Sequence, residues 1–302
     1  MRYLTFVAPG EERPRLGALI AEDRVVSLAR GDLPTDMLSL IQAGPEIWLV
    51  AEMLARSTQN VWPLDQVTLK APLQNPPTLR DFYAFETHVK TANKNRGREV
   101  PQEWYEFPVF YFTNPHTIHG PNEDVAIPAF TQAMDYELEV AAIIGRPGRD
   151  IPADKALDHI FGFTIMNDWS ARDVQRKEMK VGLGPAKGKD FATSLGPWIV
   201  TQEELAKRAT GRAGVYEAAM VARVNGEERS RGNWSDIHYT FAQMIARASE
   251  GVTLLAGDVI GSGTVGTGCL LEITKGEGPW LKTGDLVEVE IEGIGELKNR
   301  VA

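Results

Sequence analysis

The segment 135–144 constrains the fold of this chain more than any other feature. It runs Asp-Tyr-Glu-Leu-Glu-Val-Ala-Ala-Ile-Ile, so alternating acids lead into an unbroken apolar stretch. Successive side chains of a β-strand point to opposite faces, and the spacing of two therefore places Asp135, Glu137 and Glu139 on one side of a strand. An apolar run of this length is typical of a strand in a packed interior. The pattern predicts carboxylates that crowd together with little water.

A bound divalent cation is one way to stabilise such a cluster. Asp168, which follows a second apolar run at 160–167, is a further candidate member. An isolated buried charge costs several kcal/mol, and neighbouring carboxylates raise each other's pKa. Oxygen ligands suit Mg²⁺, Mn²⁺ or Ca²⁺, whereas zinc is expected with His and Cys. The alternative is a sheet surface where the acids face solvent, as charged edge strands often do.

Three further segments complete a recognisable set of motifs. They are Asp81-Phe-Tyr-Ala-Phe-Glu-Thr-His88, Asn167-Asp-Trp-Ser-Ala-Arg-Asp-Val-Gln175 and Gly188-Lys-Asp-Phe-Ala-Thr193. Together with Glu137-Leu-Glu139, and in this order, they resemble the motifs of the fumarylacetoacetate hydrolase family. The resemblance covers about three quarters of the chain, from near Pro76 to the end.

The resemblance implies roles for the acidic residues. Glu137, Glu139 and Asp168 correspond to the metal-binding acids of the family, and Asp81 matches the fourth acid of its hydrolases. Asp135 matches no family ligand, so we expect it to support the site from behind.

The resemblance also implies roles for basic and polar residues. Lys189 holds the position of the active-site lysine, and His88 that of the catalytic base, since a histidine titrates near neutral pH. Arg172 and Gln175 are expected to bind substrate from one helical turn, with bidentate recognition of a carboxylate by the arginine. Thr193 is expected either to bond an oxygen at the metal or to cap a turn.

Alternatives remain open for Arg172. Its rival role is a structural salt bridge to Asp173 or Glu178.

Two departures from the family pattern are visible. The family's large hydrolases orient the histidine with a glutamate in a long turn after Gly-Thr, but the turn 263–268 is short and contains no acid. His88 then pairs with Glu86, Glu103 or Glu106, or has no acidic partner. Many relatives also have a lysine where this chain has Asn114, so a cation for a substrate carboxylate is missing there.

The expected fold class is α+β and mostly β. Short strands at 3–8, 15–21 and 24–28 and helices at 36–41 and 46–56 predict a small N-terminal domain over residues 1–70, followed by a linker at 72–77. Beyond it we predict a helix from about 235 and strands at 258–262, 269–274 and 285–291. For residues 76–302 the resemblance implies a catalytic domain with the mixed β-sandwich roll of the family, in a homodimer.

Composition limits the classes of function. The 302 residues are 43% apolar, enough for a sizeable core, and the net charge of −9 without a basic cluster argues against nucleic acid. Cys269 is the single cysteine and is expected to pack as a small residue without partners. No apolar run has the length of a membrane-spanning helix, and the first residues lack a signal-peptide pattern. We expect a cytoplasmic protein.

These expectations converge on a metal enzyme for a small 2-oxo or 1,3-dioxo acid. The preferred activity is hydrolysis of a C–C bond in an acylpyruvate-like or fumarylacetoacetate-like substrate, with Mg²⁺ as cofactor and Mn²⁺ or Ca²⁺ as alternatives. A lyase of the same family, either a decarboxylase or a sugar-acid dehydratase, is the second candidate. A non-catalytic scaffold stabilised by Ca²⁺ is the third.

Overall fold

A large mixed β-sheet organises the chain. The computed structural model describes residues 1–29, 33–58, 60–95 and 97–302, and within these ranges the sheet has twelve strands. Ten of them lie side by side in the order Val61–Pro63, Arg24–Ser27, Arg15–Leu19, Arg2–Val7, Thr193–Val200, Ile160–Asp168, Leu138–Ile144, Val259–Gly261, Leu79–Phe82 and Phe110–Thr113. Thr68–Lys70 pairs with Arg2–Val7, and Ile118–His119 pairs with Thr193–Val200.

The remaining elements pack around this sheet. A second, antiparallel sheet consists of Glu227–Asn233, Ala219–Val224, Leu286–Ile291 and Gly295–Arg300, and two short ladders join Met134–Asp135 to Ser170–Ala171 and Gly148–Arg149 to Thr253–Leu254. The α-helices are Met37–Ala43, Pro45–Ser57, Glu86–Asn95, Arg172–Val181, Gln202–Leu205, Phe241–Ser249 and Leu270–Ile273. The 3₁₀ turns are Leu64–Gln66, Gln102–Tyr105, Ala153–His159, Ala206–Arg208 and Trp234–Asp236. Within the described ranges, no helix combines the length and apolar character needed to span a lipid bilayer.

The strand Leu138–Ile144 is buried on both faces. Leu138, Val140 and Ala142 belong to the core that includes residues of the four-stranded sheet, whereas Ala141 and Ile143 belong to a separate core on the other face. Neighbouring side chains of a strand point in opposite directions, so a strand between two cores must be apolar at nearly every position. The unbroken apolar sequence follows from this placement.

The N-terminal helices cover the second face of the large sheet. Buried side chains of Met37–Ala43 and Pro45–Ser57 belong to the same core as Ala141 and Ile143. The strands of the first 70 residues extend the large sheet, because Arg2–Val7 pairs with Thr193–Val200. A domain division between residues 70 and 76 therefore stays a prediction.

Much of the predicted secondary structure is confirmed. The three N-terminal strands, both N-terminal helices and the strand at 285–291 lie within two residues of the expected bounds. The fold class, α+β and mostly β, is confirmed as well.

Three local predictions were wrong. The segment 269–274 forms the helix Leu270–Ile273, because the Asp135 carboxylate accepts hydrogen bonds from the amides of Leu270 and Leu271 and so satisfies the helix start. The helix expected from 235 begins at Phe241, where Thr240 forms a capping box with Gln243. Lastly, the strand expected from 135 is interrupted, since Met134–Asp135 pairs with a different partner from Leu138–Ile144.

Candidate active site

Four buried carboxylates meet at one point of the large sheet. Asp81, Glu137, Glu139 and Asp168 each offer an oxygen within 4.8 Å of the others. Glu139 and Asp168 come from neighbouring strands, and Asp81 lies two strands from Glu139. The strand between them has Gly261 opposite Asp81, and a Cβ there would lie 2.5 Å from Asp81 Oδ1. The missing side chain lets Asp81 approach Glu139.

Burial and mutual repulsion oppose ionisation of three of these acids. Burial and the nearby Asp168 raise the pKa of Asp81 to about 8. Burial and the charge of Asp81 raise the pKa of Glu139 well above its usual range, and burial raises the pKa of Asp168 despite the nearby Lys189. Glu137 behaves differently. Burial works against its charge, but Lys189 and Arg172 outweigh burial and hold its pKa well below the usual value.

Lys189 and Tyr111 contact two of the clustered acids, Asp168 and Glu137. The ammonium of Lys189 lies 2.6 Å from Asp168 Oδ2 and also contacts Glu137 Oε2. The hydroxyl of Tyr111 donates a hydrogen bond to the same oxygen of Asp168. Burial and the Asp168 charge raise the pKa of Tyr111, so this hydroxyl keeps its proton.

Arg172 links Glu137 of the carboxylate cluster to Asp135. Its Nε donates to Asp135 Oδ2 at 2.8 Å and its Nη2 to Glu137 Oε1 at 2.7 Å. Gln175 Oε1 accepts a third bond from Nη1 at 3.0 Å. Asp135 is not among the four clustered acids and instead holds the arginine that contacts Glu137, in line with the supporting role expected for it.

The prediction of a salt bridge from Arg172 to Asp173 or Glu178 was wrong, because Arg172 pairs with Asp135 and Glu137. Asp173 accepts hydrogen bonds from Thr131 and from the amide of Gln132, and Glu178 accepts from the amides of residues 186–188.

The cluster fits a divalent cation. Five buried carboxylates, the four of the cluster and Asp135, face two buried cations, Lys189 and Arg172. Within the described ranges, Asp168 Oδ1 has no hydrogen-bond partner and neither has the buried hydroxyl of Thr193. An ion with oxygen ligands would relieve the excess charge and use the free oxygens. The solvent-facing alternative for the acids is wrong, because all four are buried.

The turn after strand Val259–Gly261 supplies hydrogen bonds to the acids. The Gly263 amide lies 3.1 Å both from Asp81 Oδ1 and from Glu139 Oε2, and Thr264 Oγ1 lies 3.4 Å from Glu139 Oε1. Gly263 has φ +75°, and a Cβ would lie 2.4 Å from the Phe82 carbonyl oxygen. Only glycine fits this close approach without strain.

His88 has an acidic partner that the sequence analysis missed. Its Nδ1 lies 2.7 Å from Oε2 of Glu272, and both side chains are buried. The three partners considered from sequence were wrong: Glu86 bonds Tyr105 and Lys90, and neither Glu103 nor Glu106 contacts His88 within the described ranges. With Nδ1 facing Glu272, Nε2 is the nitrogen available to a substrate.

Cys269 also belongs to this corner of the site. Its Sγ lies 3.6 Å from Glu272 Oε2, and it can approach His88 closely enough for the three side chains to share an ion. The expectation that Cys269 has no such neighbours was wrong. Burial, followed by the charge of Asp135, raises the pKa of its thiol well above the usual value, so it stays protonated.

A cavity of about 510 Å³ connects these groups. Its lining includes His88, Lys189, Arg172, Gln175 and three of the clustered acids, with Asp168 behind them. Thr193 lies opposite Asp168 on the neighbouring strand. Asn114 lines no part of this cavity and instead bonds the Asp190 carbonyl and the His116 amide.

Two site residues, Tyr111 and Glu272, were not predicted from the sequence, although each had a weak signal there. Tyr111 is the direct strand partner of Asp81, so its side chain points to the same face of the sheet, but this register becomes visible only in the fold. Glu272 is an acid inside the apolar stretch 269–273. A buried acid of this kind needs a partner, and that need is the signal.

Comparison with known proteins places the chain in a family. The model of the fumarylacetoacetate (FAA) hydrolase C-terminal family matches residues 78–302. A human protein named oxaloacetate tautomerase FAHD2A, mitochondrial, is 32% identical over all of this chain and 91% of its own length. Oxaloacetate tautomerase YisK of Bacillus subtilis is 28% identical over 97% of this chain and 99% of its own. The structure of a fumarylacetoacetate hydrolase from Exiguobacterium antarcticum superposes with a TM-score of 0.77 at 29% identity, covering 100% of this chain and 99% of that one.

The chain is an enzyme of the fumarylacetoacetate hydrolase family. Its relatives carry the names of tautomerases, isomerases and hydrolases, and a small acid as substrate fits all of these names.

Divalent metal should stabilise the protein more at pH 8 than at pH 6. Asp81 binds a proton more tightly in the folded state than in the unfolded state, so stability without metal falls as pH rises from about 4, its ordinary pKa, through its folded pKa of about 8. A cation removes this penalty and competes less with protons at high pH. Thermal unfolding with EDTA or excess Mg²⁺ at both pH values measures the difference.

The matched variants for this measurement are Asp81→Asn and Glu277→Gln, the second being an exposed acid. We expect Asp81→Asn to lose most of the Mg²⁺-dependent rise in melting temperature and Glu277→Gln to keep it. An equal rise in both variants would place the ion elsewhere.

Removing the Lys189 ammonium should destabilise the metal-free protein. Lys189→Met leaves Glu137 and Asp168 buried without their shared cation, which costs about 3–5 kcal/mol. Excess Mg²⁺ should recover part of this loss. Lys187→Met, at an exposed pair with Asp190, is the control and should cost less than about 1 kcal/mol. Urea unfolding with and without Mg²⁺ gives both values, and equal losses in the two variants would contradict the assignment.

Proposed function

We propose that this protein catalyses keto–enol tautomerisation of a 2-oxo diacid such as oxaloacetate, with Mg²⁺ as the cofactor. One observation carries the proposal: His88, whose Nδ1 lies 2.7 Å from the buried Glu272 carboxylate, lines the same cavity as three acids of the carboxylate cluster. A positioned base beside a site for a 2-oxo acid is what transfer of a proton at the adjacent carbon requires. The names of the human and Bacillus subtilis relatives support the choice of substrate.

The carboxylates would hold the cation. Asp81, Glu137, Glu139 and Asp168 are the proposed ligands, with Mn²⁺ and Ca²⁺ as alternatives to Mg²⁺. When bound, the ion supplies Lewis-acid polarisation of the substrate oxygens. Lys189 and Arg172 keep Glu137 ionised and oriented, while the Gly263 amide orients Asp81 and Glu139.

His88 is the proposed base. The Glu272 carboxylate lies 2.7 Å from Nδ1, which leaves Nε2 to accept the proton from the carbon next to the keto group and then to give it to the enolate oxygen. Gln175 lies in the same cavity and is available for a substrate carboxylate. The Thr193 hydroxyl, without a partner among the described residues, belongs to the residue opposite Asp168 on the neighbouring strand. Burial of the whole cluster excludes bulk water and strengthens each of these interactions.

Hydrolysis of an acylpyruvate-like C–C bond, the activity preferred from the sequence, is the second candidate. The same pair, His88 and Glu272, supports it because a histidine held by a carboxylate can take a proton from water. The fumarylacetoacetate hydrolase of Exiguobacterium antarcticum, similar over the whole chain, supports it too. A decarboxylase needs no such base, and a structural calcium site needs neither the base nor a cavity. Cytoplasmic location and a homodimer are proposed with this enzyme.

The activities separate in one experiment. The Mg²⁺-loaded enzyme is given oxaloacetate and acetylpyruvate in separate reactions in D₂O. Proton NMR follows exchange at the carbon next to the keto group and the appearance of pyruvate and acetate, and a separate assay follows release of CO₂. We expect fast exchange and tautomer interconversion with oxaloacetate. Cleavage of acetylpyruvate faster than that exchange would favour the hydrolase, and CO₂ release without exchange would favour the decarboxylase.

Glu272 should contribute to catalysis through His88. Glu272→Gln keeps the shape but not the charge, and loss of such a supporting group typically costs about 10–100-fold in activity. His88→Ala should lose about 10²–10⁴-fold. Glu86→Gln, which changes a half-buried glutamate two residues from His88 that lines no part of the cavity, should stay close to the parent. Oxalate binding measured by calorimetry should survive in all three variants, because none changes the carboxylate cluster. Full activity in Glu272→Gln would remove the pair from the mechanism.

A further inference from the structure

A second group of metal-ligating side chains lies beside the active-site cavity. Among the described residues, two groups bring the ligand atoms of at least three His, Cys, Asp or Glu side chains within 4.8 Å of one another, and one of them is His88, Cys269 and Glu272. The carboxylate cluster offers only oxygen atoms, whereas this group offers nitrogen, sulfur and oxygen. Imidazole and thiolate ligands suit Zn²⁺, and oxygen ligands suit Mg²⁺. The two groups therefore favour different ions.

The geometry of this group is close to that of a tetrahedral site. Cys269 Sγ lies 3.6 Å from Glu272 Oε2, and a tetrahedral zinc ion separates a sulfur ligand from an oxygen ligand by about 3.5–3.6 Å. His88 Nδ1 lies 2.7 Å from the same carboxylate oxygen, so these two atoms must move apart by about 0.7 Å to hold the ion. Glu272 Oε1 accepts a hydrogen bond from the Thr267 amide at 3.2 Å, which leaves Oε2 for the ion.

The Nδ1 atom of His88 is the second observation that points to a ligand. The side chain is 5% exposed, and among the described residues Nδ1 has no aligned hydrogen bond despite its short distance to Glu272. A buried polar atom without a hydrogen bond is unfavourable, because it has lost its contact with water. A cation between His88 and Glu272 would use this nitrogen without breaking an aligned bond.

The charges of the three ligands balance those of a divalent ion. The thiolate of Cys269 and the carboxylate of Glu272 supply two negative charges, and the neutral ring of His88 supplies none. The bound site is then neutral, which avoids the cost of a buried net charge. The thiol proton of Cys269 passes to solvent as the ion binds, so each ion releases one proton. Thr267, whose amide bonds Glu272, is exposed, so the group lies near the surface.

We propose that His88, Cys269 and Glu272 form a Zn²⁺ site that inhibits the enzyme. A metal at Nδ1 uses the lone pair of that nitrogen, so the single proton of the neutral ring is confined to Nε2. Nε2 then has no lone pair with which to accept a proton from the substrate. The ion thus removes the base without occupying the carboxylate cluster. The inhibition rests on the function proposed for His88, whereas binding of the ion does not.

Cobalt is a spectroscopic probe for this site. Co²⁺ is added to the untagged protein in excess Mg²⁺, the proposed occupant of the carboxylate cluster, and the near-ultraviolet absorbance is followed. A bond between Co²⁺ and a thiolate gives an intense charge-transfer band that oxygen ligands do not give. Cys269 is the single cysteine of the chain, so the band reports this residue alone. We expect it to saturate at one Co²⁺ per chain and to disappear when Zn²⁺, which binds such ligands more tightly, is added.

Variants separate the three ligands from the rest of the chain. Removal of a group that only supports a metal ligand costs about 10–100-fold in affinity, so loss of a ligand should cost at least about tenfold. Cys269→Ser should abolish the band, and His88→Ala, in which the thiol is intact, should need at least about tenfold more Co²⁺ to form it. His116→Ala is the control, since His116 is exposed and lines no part of the active-site cavity. Absence of the band in the parent, or an unchanged band in His88→Ala, would disprove the site.

Inhibition is measured with the same proteins by proton exchange of oxaloacetate. Zn²⁺ should slow exchange by the Mg²⁺-loaded parent and leave oxalate binding in place. In Cys269→Ser, compared with its own rate without Zn²⁺, half inhibition should need at least about tenfold more Zn²⁺. Equal inhibition in both proteins that added Mg²⁺ relieves would place Zn²⁺ at the carboxylate cluster and overturn the proposal. A saturating cobalt band without inhibition would overturn the inhibitory role. A parent that shows the band but turns over no oxaloacetate would support the site and overturn the proposed function.

Discussion

The rest of the structure depends on the electrostatic cost of burying carboxylates in one place. Asp81, Glu137, Glu139 and Asp168 lie in the interior of a twelve-stranded sheet, where water cannot screen them. Everything around them reduces that cost. Lys189 and Arg172 supply positive charge, and Tyr111 and Gly263 supply hydrogen-bond donors. The Asp168 and Thr193 oxygens that lack a hydrogen-bond partner among the described residues suit a cation. The sheet provides the rigidity that keeps like charges from separating.

The acids divide into two groups with different tasks. Lys189 and Arg172 flank Glu137 and favour its charged form by lowering its pKa, whereas burial and neighbouring charges raise the pKa of Asp81 and Glu139 and so disfavour their charged forms without a cation. Asp135 belongs to neither group. It holds Arg172 on one side and the start of the helix Leu270–Ile273 on the other. That helix contains Glu272. The Asp135 carboxylate therefore links the position of the proposed His88–Glu272 pair to the position of Arg172 beside the carboxylate cluster.

The sequence predicted most of the inner site. Clustering of the four acids with Lys189, Arg172 and His88 follows from motifs that are short and local, and each motif keeps its residues close in space. It missed Glu272 and Tyr111, which reach the site through contacts between distant segments. Glu272 was hidden because an apolar stretch of five residues with one acid suits a strand as well as a helix. The hydrogen bonds from the Leu270 and Leu271 amides to the Asp135 carboxylate stabilise this segment as a helix.

By itself, the sequence determined the class of fold, the acid-rich strand, the family and the chemistry of the oxygen-rich site, because these depend on side-chain periodicity and on residue types at fixed spacings. Only the tertiary structure decided which glutamate faces His88 and where Asp135 and Arg172 lie. Those relations join residues up to 184 positions apart, as His88 and Glu272 are. Pairing at such separations is set by strand order and packing of the whole chain, and no local pattern encodes it.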